Sequence, residues 1–195
     1  MKIKGINHIA LVTSNMDQTI LFWRDLIGLR LIAGLGKPGY RQYFFEAGHL
    51  NMLLFFEWNQ VEPIPEKDHG VPVKGPFAFD HLALEVEQKD DLWEIYDRLS
   101  AAEIWVSEVM DHGFIYSVYS FDPNNIAIEF SWTIPDSDLD LHQNPKMLDL
   151  KPTYRAMQGP QPVNNAFPEA SPTSDGDKRV YPGEGSEFRN RRNKW

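Results

Sequence analysis

The sequence predicts an α+β fold in which two tandem βαβββ modules form a cupped mixed sheet, followed by an irregular C-terminal tail. Three observations carry this prediction. A segment of strand and helix character occurs twice, a pair of strands joined by a turn also occurs twice, and the composition changes after Trp132. Internal repeats are considered first because they decide the architecture of a chain.

Each module begins with an apolar strand and an amphipathic helix. Residues 6–26 read INHIALVTSNMDQTILFWRDL and residues 79–99 read FDHLALEVEQKDDLWEIYDRL, so a shift of 73 places His8 on His81. The β-branched and leucine residues after each histidine favour a strand. Polar residues that cap helices come next, and apolar residues then recur at spacings of three and four, which is typical of an amphipathic helix.

Each module ends in two strands joined by a tight turn. Residues 41–58 read RQYFFEAGHLNMLLFFEW and residues 115–132 read IYSVYSFDPNNIAIEFSW. Glycine in the first turn and Asp-Pro-Asn-Asn in the second supply residues that turns prefer. A shift of 76 places Leu53 on Glu129. One further strand after each helix completes the βαβββ pattern in both copies.

The distribution of proline and polar residues predicts where the modules begin and end. The stretch VEPIPEKDHGVPVKGP is rich in proline and indicates a linker. After the second module the chain is dominated by Pro, Asn, Gly, Ser and charged residues, so we expect a tail that is disordered or folds against the body or a partner subunit. The predicted organisation is a first module over 1–60, a linker over 61–76, a second module over 77–133 and a Pro/Gly-rich tail over 134–195.

The composition excludes several classes of function. The 195 residues include no cysteine, which excludes disulfides, thiolate metal sites and a cysteine nucleophile. The N-terminus lacks the pattern of a signal peptide and no run is long enough to span a bilayer, so we expect a cytoplasmic protein without a membrane partner. The net charge of -9 argues against binding to nucleic acid, although RNRRNK at 189–194 is basic.

The two repeated histidines and one buried carboxylate predict a metal site in the cup. Strand alternation places His8 on the face opposite to its apolar neighbours, and packing of the modules about a pseudo-twofold axis would bring His8 and His81 together. Glu129 lies on a central apolar strand, where an unpaired carboxylate is costly. Two imidazoles and one carboxylate leave open coordination positions and suit Fe(II), Mn(II) or another divalent ion. The alternative is a structural ion pair between histidine and glutamate.

The sequence resembles the vicinal oxygen chelate superfamily, which includes glyoxalase I, fosfomycin-resistance proteins, bleomycin-binding proteins and extradiol dioxygenases. The resemblance extends from about Lys4 to Trp132 and is carried by GINHIALVTSNMDQTILFWRDLIGLRL, FDHLALEV and DHGFIYSVYSFDPNNIAIEF. It implies that His8, His81 and Glu129 are the metal ligands.

Other positions distinguish the reactions of that superfamily. Glyoxalase I and methylmalonyl-CoA epimerase resemble each other in having a fourth metal ligand, Glu or Gln, at the position that Leu53 occupies here. Leucine can neither bind a metal ion nor accept a proton, so that ligand is missing from this sequence. The resemblance to dioxygenases implies that Tyr119 lies near the metal, opposite Glu129, and that His112 is a supporting histidine. The resemblance also implies an acid-base histidine at the start of the fourth strand. His49 is the nearest candidate, but it stands one residue away from that position, where strand alternation would turn it away from the metal.

These comparisons favour an extradiol, catechol 2,3-dioxygenase-like oxygenase, with Tyr119, His112 and His49 as candidate catalytic residues. The resemblance implies Fe(II) as the favoured metal, with Mn(II), Ni(II) or Zn(II) as alternatives, and a small catechol-like or other vicinal-oxygen substrate. A glyoxalase I-like isomerase and a fosfomycin-type thiol transferase are alternatives, although the acidic segment after Glu129 disfavours a phosphonate. A metal-free, bleomycin-resistance-like binding protein is the alternative of another class. We expect a homodimer with the tail at its interface.

Overall fold

The computed structural model of the protein describes residues 4–75, 79–136, 138, 140–163 and 170–189. The chain divides into two compact units, Met1–Leu139 and Asp140–Trp195. The elements of the first unit are β1 His8–Thr13, α1 Met16–Ile20 with a π-helical continuation Leu21–Leu26, β2 Leu31–Lys37, β3 Tyr40–Glu46, β4 Met52–Glu57, β5 Leu82–Glu85, α2 Asp91–Ala101, β6 Met110–Asp111, β7 Ile115–Phe121 and β8 Ala127–Thr133.

Two four-stranded sheets have the same order of strands. The first sheet runs β1-β4-β3-β2 and the second runs β5-β8-β7-β6. In each sheet the first strand of the module pairs in parallel with the last, and the remaining pairs are antiparallel. The predicted α+β class with two βαβββ modules is therefore confirmed.

The first helix is fixed at its N-terminus by two side chains. The Asn15 carboxamide oxygen accepts a hydrogen bond from the Gln18 backbone N–H at 3.1 Å, as expected of an N-cap residue. The Glu57 carboxylate, at the end of β4, accepts the Met16 N–H at 2.8 Å and pairs with Arg41. Glu57 therefore connects α1 to the sheet, since one of its carboxylate oxygens accepts the helix N–H and the other binds the Arg41 guanidinium.

One hydrophobic core joins the two modules. It contains the helix residue Trp23, Phe55 of the first sheet and Ile128 of the second, all fully buried. The Trp23 indole N–H donates to the Asp122 carboxylate at 3.3 Å, and the Arg98 guanidinium donates to a backbone carbonyl at the end of the first helix. Each sheet therefore turns one face toward a common core and its other face away from it.

The second unit contains little regular structure in its described part. Short 3₁₀ helices form at Ala156–Gln158 and Glu184–Arg189, and the remaining described residues from 140 onward form turns and irregular chain. This agrees with the irregular tail expected from its composition. Over the described residues, the helices are too short and too polar to cross a bilayer.

Candidate functional site

The imidazole of His81 and the carboxylate of Glu129 face each other on the second sheet. β5 and β8 are parallel neighbours, and Ala83, two residues after His81, is in register with Glu129. The Nε2 atom of His81 lies 2.7 Å from Oε2 of Glu129. Glu129 is buried and His81 is half-buried, and the pair lies on the face of the sheet turned away from the core.

The other ring nitrogen of His81 is held by Asp80. Nδ1 lies 2.7 Å from the Asp80 carboxylate, which also accepts the Gly70 backbone N–H at 2.9 Å. The nearly buried Lys67 ammonium forms an ion pair with the same carboxylate, and this is the main reason why the pKa of Asp80 is well below its usual value. An ionised Asp80 favours the proton on Nδ1, which leaves Nε2, the atom that faces Glu129, with a lone pair that would bind a cation.

The Glu129 carboxylate is held from its other side by two hydroxyl groups. The Ser117 hydroxyl donates to Oε1, and the Tyr119 hydroxyl lies 3.5 Å from the same oxygen. Since these contacts use Oε1, Oε2 is the oxygen that faces His81. In the described part of the chain, no buried polar side-chain atom lacks a hydrogen-bond partner.

Tyr119 and His112 form a second polar pair beside Glu129. Tyr119 is directly opposite Glu129 in the β7–β8 pairing, as the sequence predicts. Its hydroxyl lies 2.8 Å from Nε2 of the exposed His112. Burial, followed by the nearby Glu129 charge, raises the pKa of Tyr119, so the phenol keeps its proton at neutral pH.

His69 is a site residue that the sequence analysis does not find. Its ring lies 4.6 Å from the Tyr119 ring and 5.7 Å from the His81 ring, and its Nε2 lies 3.0 Å from the Ile128 carbonyl oxygen. Burial is the main cause that lowers the pKa of His69. The sequence offers only a histidine and glycine inside a proline-rich linker, without the strand pattern that reveals His81.

Two of the predicted site residues lie apart from this group. His8 is exposed on β1 and its Nδ1 contacts the neighbouring Asn7 side chain at 2.9 Å. His49 lies in the exposed turn before β4, and within the described residues no hydrogen bond or ring contact joins it to the His81–Glu129 pair. Over those same residues, no group of three or more His, Asp or Glu side chains is arranged to hold a metal ion.

The equivalent of Glu129 in the first sheet is Leu54, which corrects the assignment of Leu53. Ala10 pairs with Leu54 as Ala83 pairs with Glu129, so the shift between the last strands is 75 instead of 76. Leu53 belongs to the core, whereas Leu54 lies outside the core cluster. A one-residue slip in a strand exchanges its faces. The position is still a leucine, so the predicted loss of a fourth ligand is unchanged.

The donor set of the pair fits part of a divalent metal site. His81 Nε2 and Glu129 Oε2 converge, and each is supported from behind, by Asp80 and by Ser117. Such supporting hydrogen bonds orient the imidazole and carboxylate ligands of metal sites. The two side chains would therefore serve as two ligands of such a site, and any further protein ligand would have to come from another position.

The chain is similar to proteins of one superfamily. The model described as the Glyoxalase/Bleomycin resistance protein/Dioxygenase superfamily matches residues 5–130. An iron-dependent extradiol dioxygenase from Rhodococcus jostii (strain RHA1) is 27% identical over 130 residues, which are 65% of this chain and 42% of the dioxygenase. This chain therefore matches less than half the length of that relative. A metallothiol transferase FosB from Lysinibacillus sphaericus (strain C3-41) is 23% identical over 149 residues, 75% of this chain and 95% of the transferase.

Solved structures show the same fold. A lactoylglutathione lyase from Agrobacterium tumefaciens is 28% identical, with a TM-score of 0.50 over 68% of this chain and 96% of the lyase. A glyoxylase/bleomycin resistance protein/dioxygenase domain from Frankia sp. EAN1pec gives a TM-score of 0.58 at 17% identity, over 68% of this chain and 100% of the domain.

Proposed function

The chain belongs to the glyoxalase/bleomycin resistance protein/dioxygenase superfamily, and we propose that it is a divalent-metal-dependent oxygenase of the extradiol type, acting on a small catechol-like substrate. The observation that carries the proposal is the 2.7 Å approach of His81 Nε2 to Glu129 Oε2, with Asp80 fixing the opposite ring nitrogen. The 27% identity of this chain to an iron-dependent extradiol dioxygenase supports Fe(II) as the metal.

The third ligand in this proposal is His8 of a second copy of the chain. Within one chain His8 is exposed on β1, on the face turned away from the common core. β1 and β5 are each at the edge of a sheet, with β4 and β8 as their respective neighbours. A homodimer that places β1 of one copy beside β5 of the other would bring His8 to the His81–Glu129 pair, and twofold symmetry would form two such sites.

Beside the cation, Tyr119 and His112 each have a role in the proposed chemistry. A divalent cation bound there supplies Lewis acidity to a chelating substrate and, as Fe(II) or Mn(II), reactivity toward dioxygen. Tyr119 keeps its proton and orients a substrate oxygen next to Glu129, because its hydroxyl lies beside Oε1. His112, 2.8 Å from the Tyr119 hydroxyl and exposed, exchanges protons between that hydroxyl and solvent.

The same residues disfavour the two other superfamily reactions. A glyoxalase-like isomerisation needs a second carboxylate or carboxamide, and the first sheet offers Leu54 at that position. A phosphonate substrate needs cations near the metal. Lys67 is beside the pair, but it is bound to Asp80 and to the Asp68 carbonyl oxygen.

Oxygen uptake by anaerobically prepared, Fe(II)-loaded protein tests the proposal. With catechol or 3-methylcatechol we expect equimolar consumption of oxygen and formation of a ring-opened acid, which carries an aldehyde group when it comes from catechol and a methyl ketone when 3-methylcatechol is cleaved next to its methyl group. Glu129→Ala should abolish both, whereas Asp97→Ala, on the exposed side of α2, should leave both intact. The proposal fails if catechols give no uptake while the same sample isomerises the methylglyoxal–glutathione adduct or adds a thiol to fosfomycin.

A further inference from the structure

An aromatic patch lies beside the His81–Glu129 pair and is not used by the proposed chemistry. The Trp105 and Phe121 rings are 5.5 Å apart, and the His69 ring lies 5.2 Å from Phe121 and 6.4 Å from Trp105. The His69 and Trp105 rings are nearly parallel, at 23°. Phe121 is on the same strand face as Tyr119, two residues away, so the patch continues the face that carries the pair.

Trp105 gives this patch an open aromatic surface. The residue is 55% exposed although it contacts two rings. Its carbonyl oxygen accepts the Ser120 hydroxyl at 2.7 Å, and the next residue, Val106, forms a bridge with Ser120. The backbone beneath the indole is therefore tied to β7. An aromatic side chain on a fixed backbone has only two torsion angles left to restrict, so it loses little conformational entropy when a planar ligand stacks on it.

His69 adds a directed hydrogen-bond acceptor to the patch. A carbonyl oxygen can only accept, so the contact from Nε2 to the Ile128 carbonyl places the proton on Nε2. Nδ1 of the neutral ring is then an acceptor. The structure gives His69 one side-chain hydrogen bond, made by Nε2, and every fully buried polar side-chain atom among the described residues has a partner, so Nδ1 is not fully buried.

The geometry points to a subsite, formed by His69, Trp105 and Phe121, for a planar aromatic ligand that carries a hydroxyl group. The ring stacks on Trp105 and the hydroxyl donates to Nδ1 of His69. The His69 ring contacts both Trp105 and His81, at 6.4 Å and 5.7 Å, so the subsite adjoins the pair. The inference rests on the proposed function only for the reaction at the end of the ligand near His81 and Glu129. Binding of the ligand to the subsite needs no metal.

Binding of 2-naphthol and its methyl ether, 2-methoxynaphthalene, to the full chain in the presence of a chelator tests the subsite. Trp105→Ala should weaken both ligands about fivefold or more, since stacking is lost. His69→Phe keeps a ring and removes the acceptor, so it should weaken naphthol about tenfold and leave the ether within about twofold. Trp93→Ala is the matched control, because Trp93 is 43% exposed on α2 beside Lys89.

Three results would overturn the subsite. They are no binding of either compound to the wild type, equal effects of Trp105→Ala and Trp93→Ala, and an equal effect of His69→Phe on naphthol and its ether. Trp105→Leu serves as a second variant that keeps apolar bulk, and thermal unfolding checks that each variant is folded. Glu129→Ala should keep its affinity for naphthol while losing metal, so failure of the subsite and failure of the proposed oxygenase are told apart.

Discussion

The Nδ1 atom of His81 lies 2.7 Å from the carboxylate of Asp80, the residue immediately before it in the chain. Asp80 is in turn held by the Lys67 ammonium and the Gly70 backbone N–H. This arrangement ties the orientation of the imidazole to a segment of the linker between the modules. It makes Asp80 a supporting residue whose charge can be removed without removing a proposed ligand.

Replacing Asp80 with asparagine is expected to weaken metal binding. Asparagine keeps an acceptor for Nδ1 but loses the negative charge that makes the imidazole a better ligand, so the Mn(II) affinity should fall by about tenfold to a hundredfold. The affinity is measured by competition with a chelating dye. Asp97→Asn, on the exposed side of α2, is the control and should match the wild type. An unchanged affinity in Asp80→Asn would mean that Asp80 does not act through His81.

Mixing two inactive variants should restore metal sites. His8→Ala lacks the ligand supplied to the partner's site, and Glu129→Ala lacks a ligand of its own site. If each site combines His8 of one copy with His81 and Glu129 of the other, random pairing of the two variants should regenerate about one quarter of the wild-type sites. Metal content after unfolding and refolding the mixture measures this. Sites formed within a single chain would give no recovery.

Loss of the Glu57 side chain should destabilise the first module. Glu57 is 11% exposed and accepts the Met16 N–H while pairing with Arg41. Glu57→Ala leaves that helix N–H without its partner, so the free energy of unfolding in urea should fall by about 1–2 kcal/mol. Glu62→Ala, at an exposed position in the linker, should change it little. Equal stabilities of the two variants would show that the contact contributes nothing.

Loss of the proton from Asp122 should lower the free energy of unfolding as the pH rises. Burial is the main cause that raises its pKa, so the folded protein binds this proton more tightly than the unfolded chain does. The resulting stabilisation is complete below the unfolded pKa and is lost as the pH rises through the folded pKa. The stability of the wild type relative to Asp122→Asn should therefore decrease as the pH rises from the pKa of an unfolded aspartate, about 4, through the higher pKa of Asp122 in the folded protein. A relative stability that increases over this range would contradict the assignment.

Much of the fold follows from the sequence because the repeat carries it. The histidines at the strand starts, the βαβββ succession of elements and the pairing of Tyr119 with Glu129 follow from patterns of local sequence, whereas the order of strands in each sheet comes from the structure. The π-helical segment Leu21–Leu26 was not expected, because its apolar spacing also fits an α-helix. The assignment of Leu53 was wrong because a single shift for the whole hairpin hides a one-residue difference, which is enough to exchange the strand faces.

The site itself was only partly predictable. His81, Glu129, Tyr119 and His112 lie together because one sheet brings them together. His69 reaches them from an irregular segment, whose position is set by tertiary contacts such as the Lys67 to Asp80 ion pair and which has no periodicity of its own. An internal repeat is compatible with equivalent faces that meet within one chain and with faces that meet between two chains. Which pair of residues His8 approaches depends on that difference.

The metal content of protein purified without oxygen and loaded with Fe(II) or Mn(II) tests the central claim most directly. The wild type should retain nearly one metal ion per chain after gel filtration, Glu129→Ala and His81→Ala should retain almost none, and Asp97→Ala, on the exposed side of α2, should match the wild type. Absence of retained metal in the wild type, or equal retention in Glu129→Ala, would contradict the claim and leave His81 and Glu129 as an ion pair in a binding cleft.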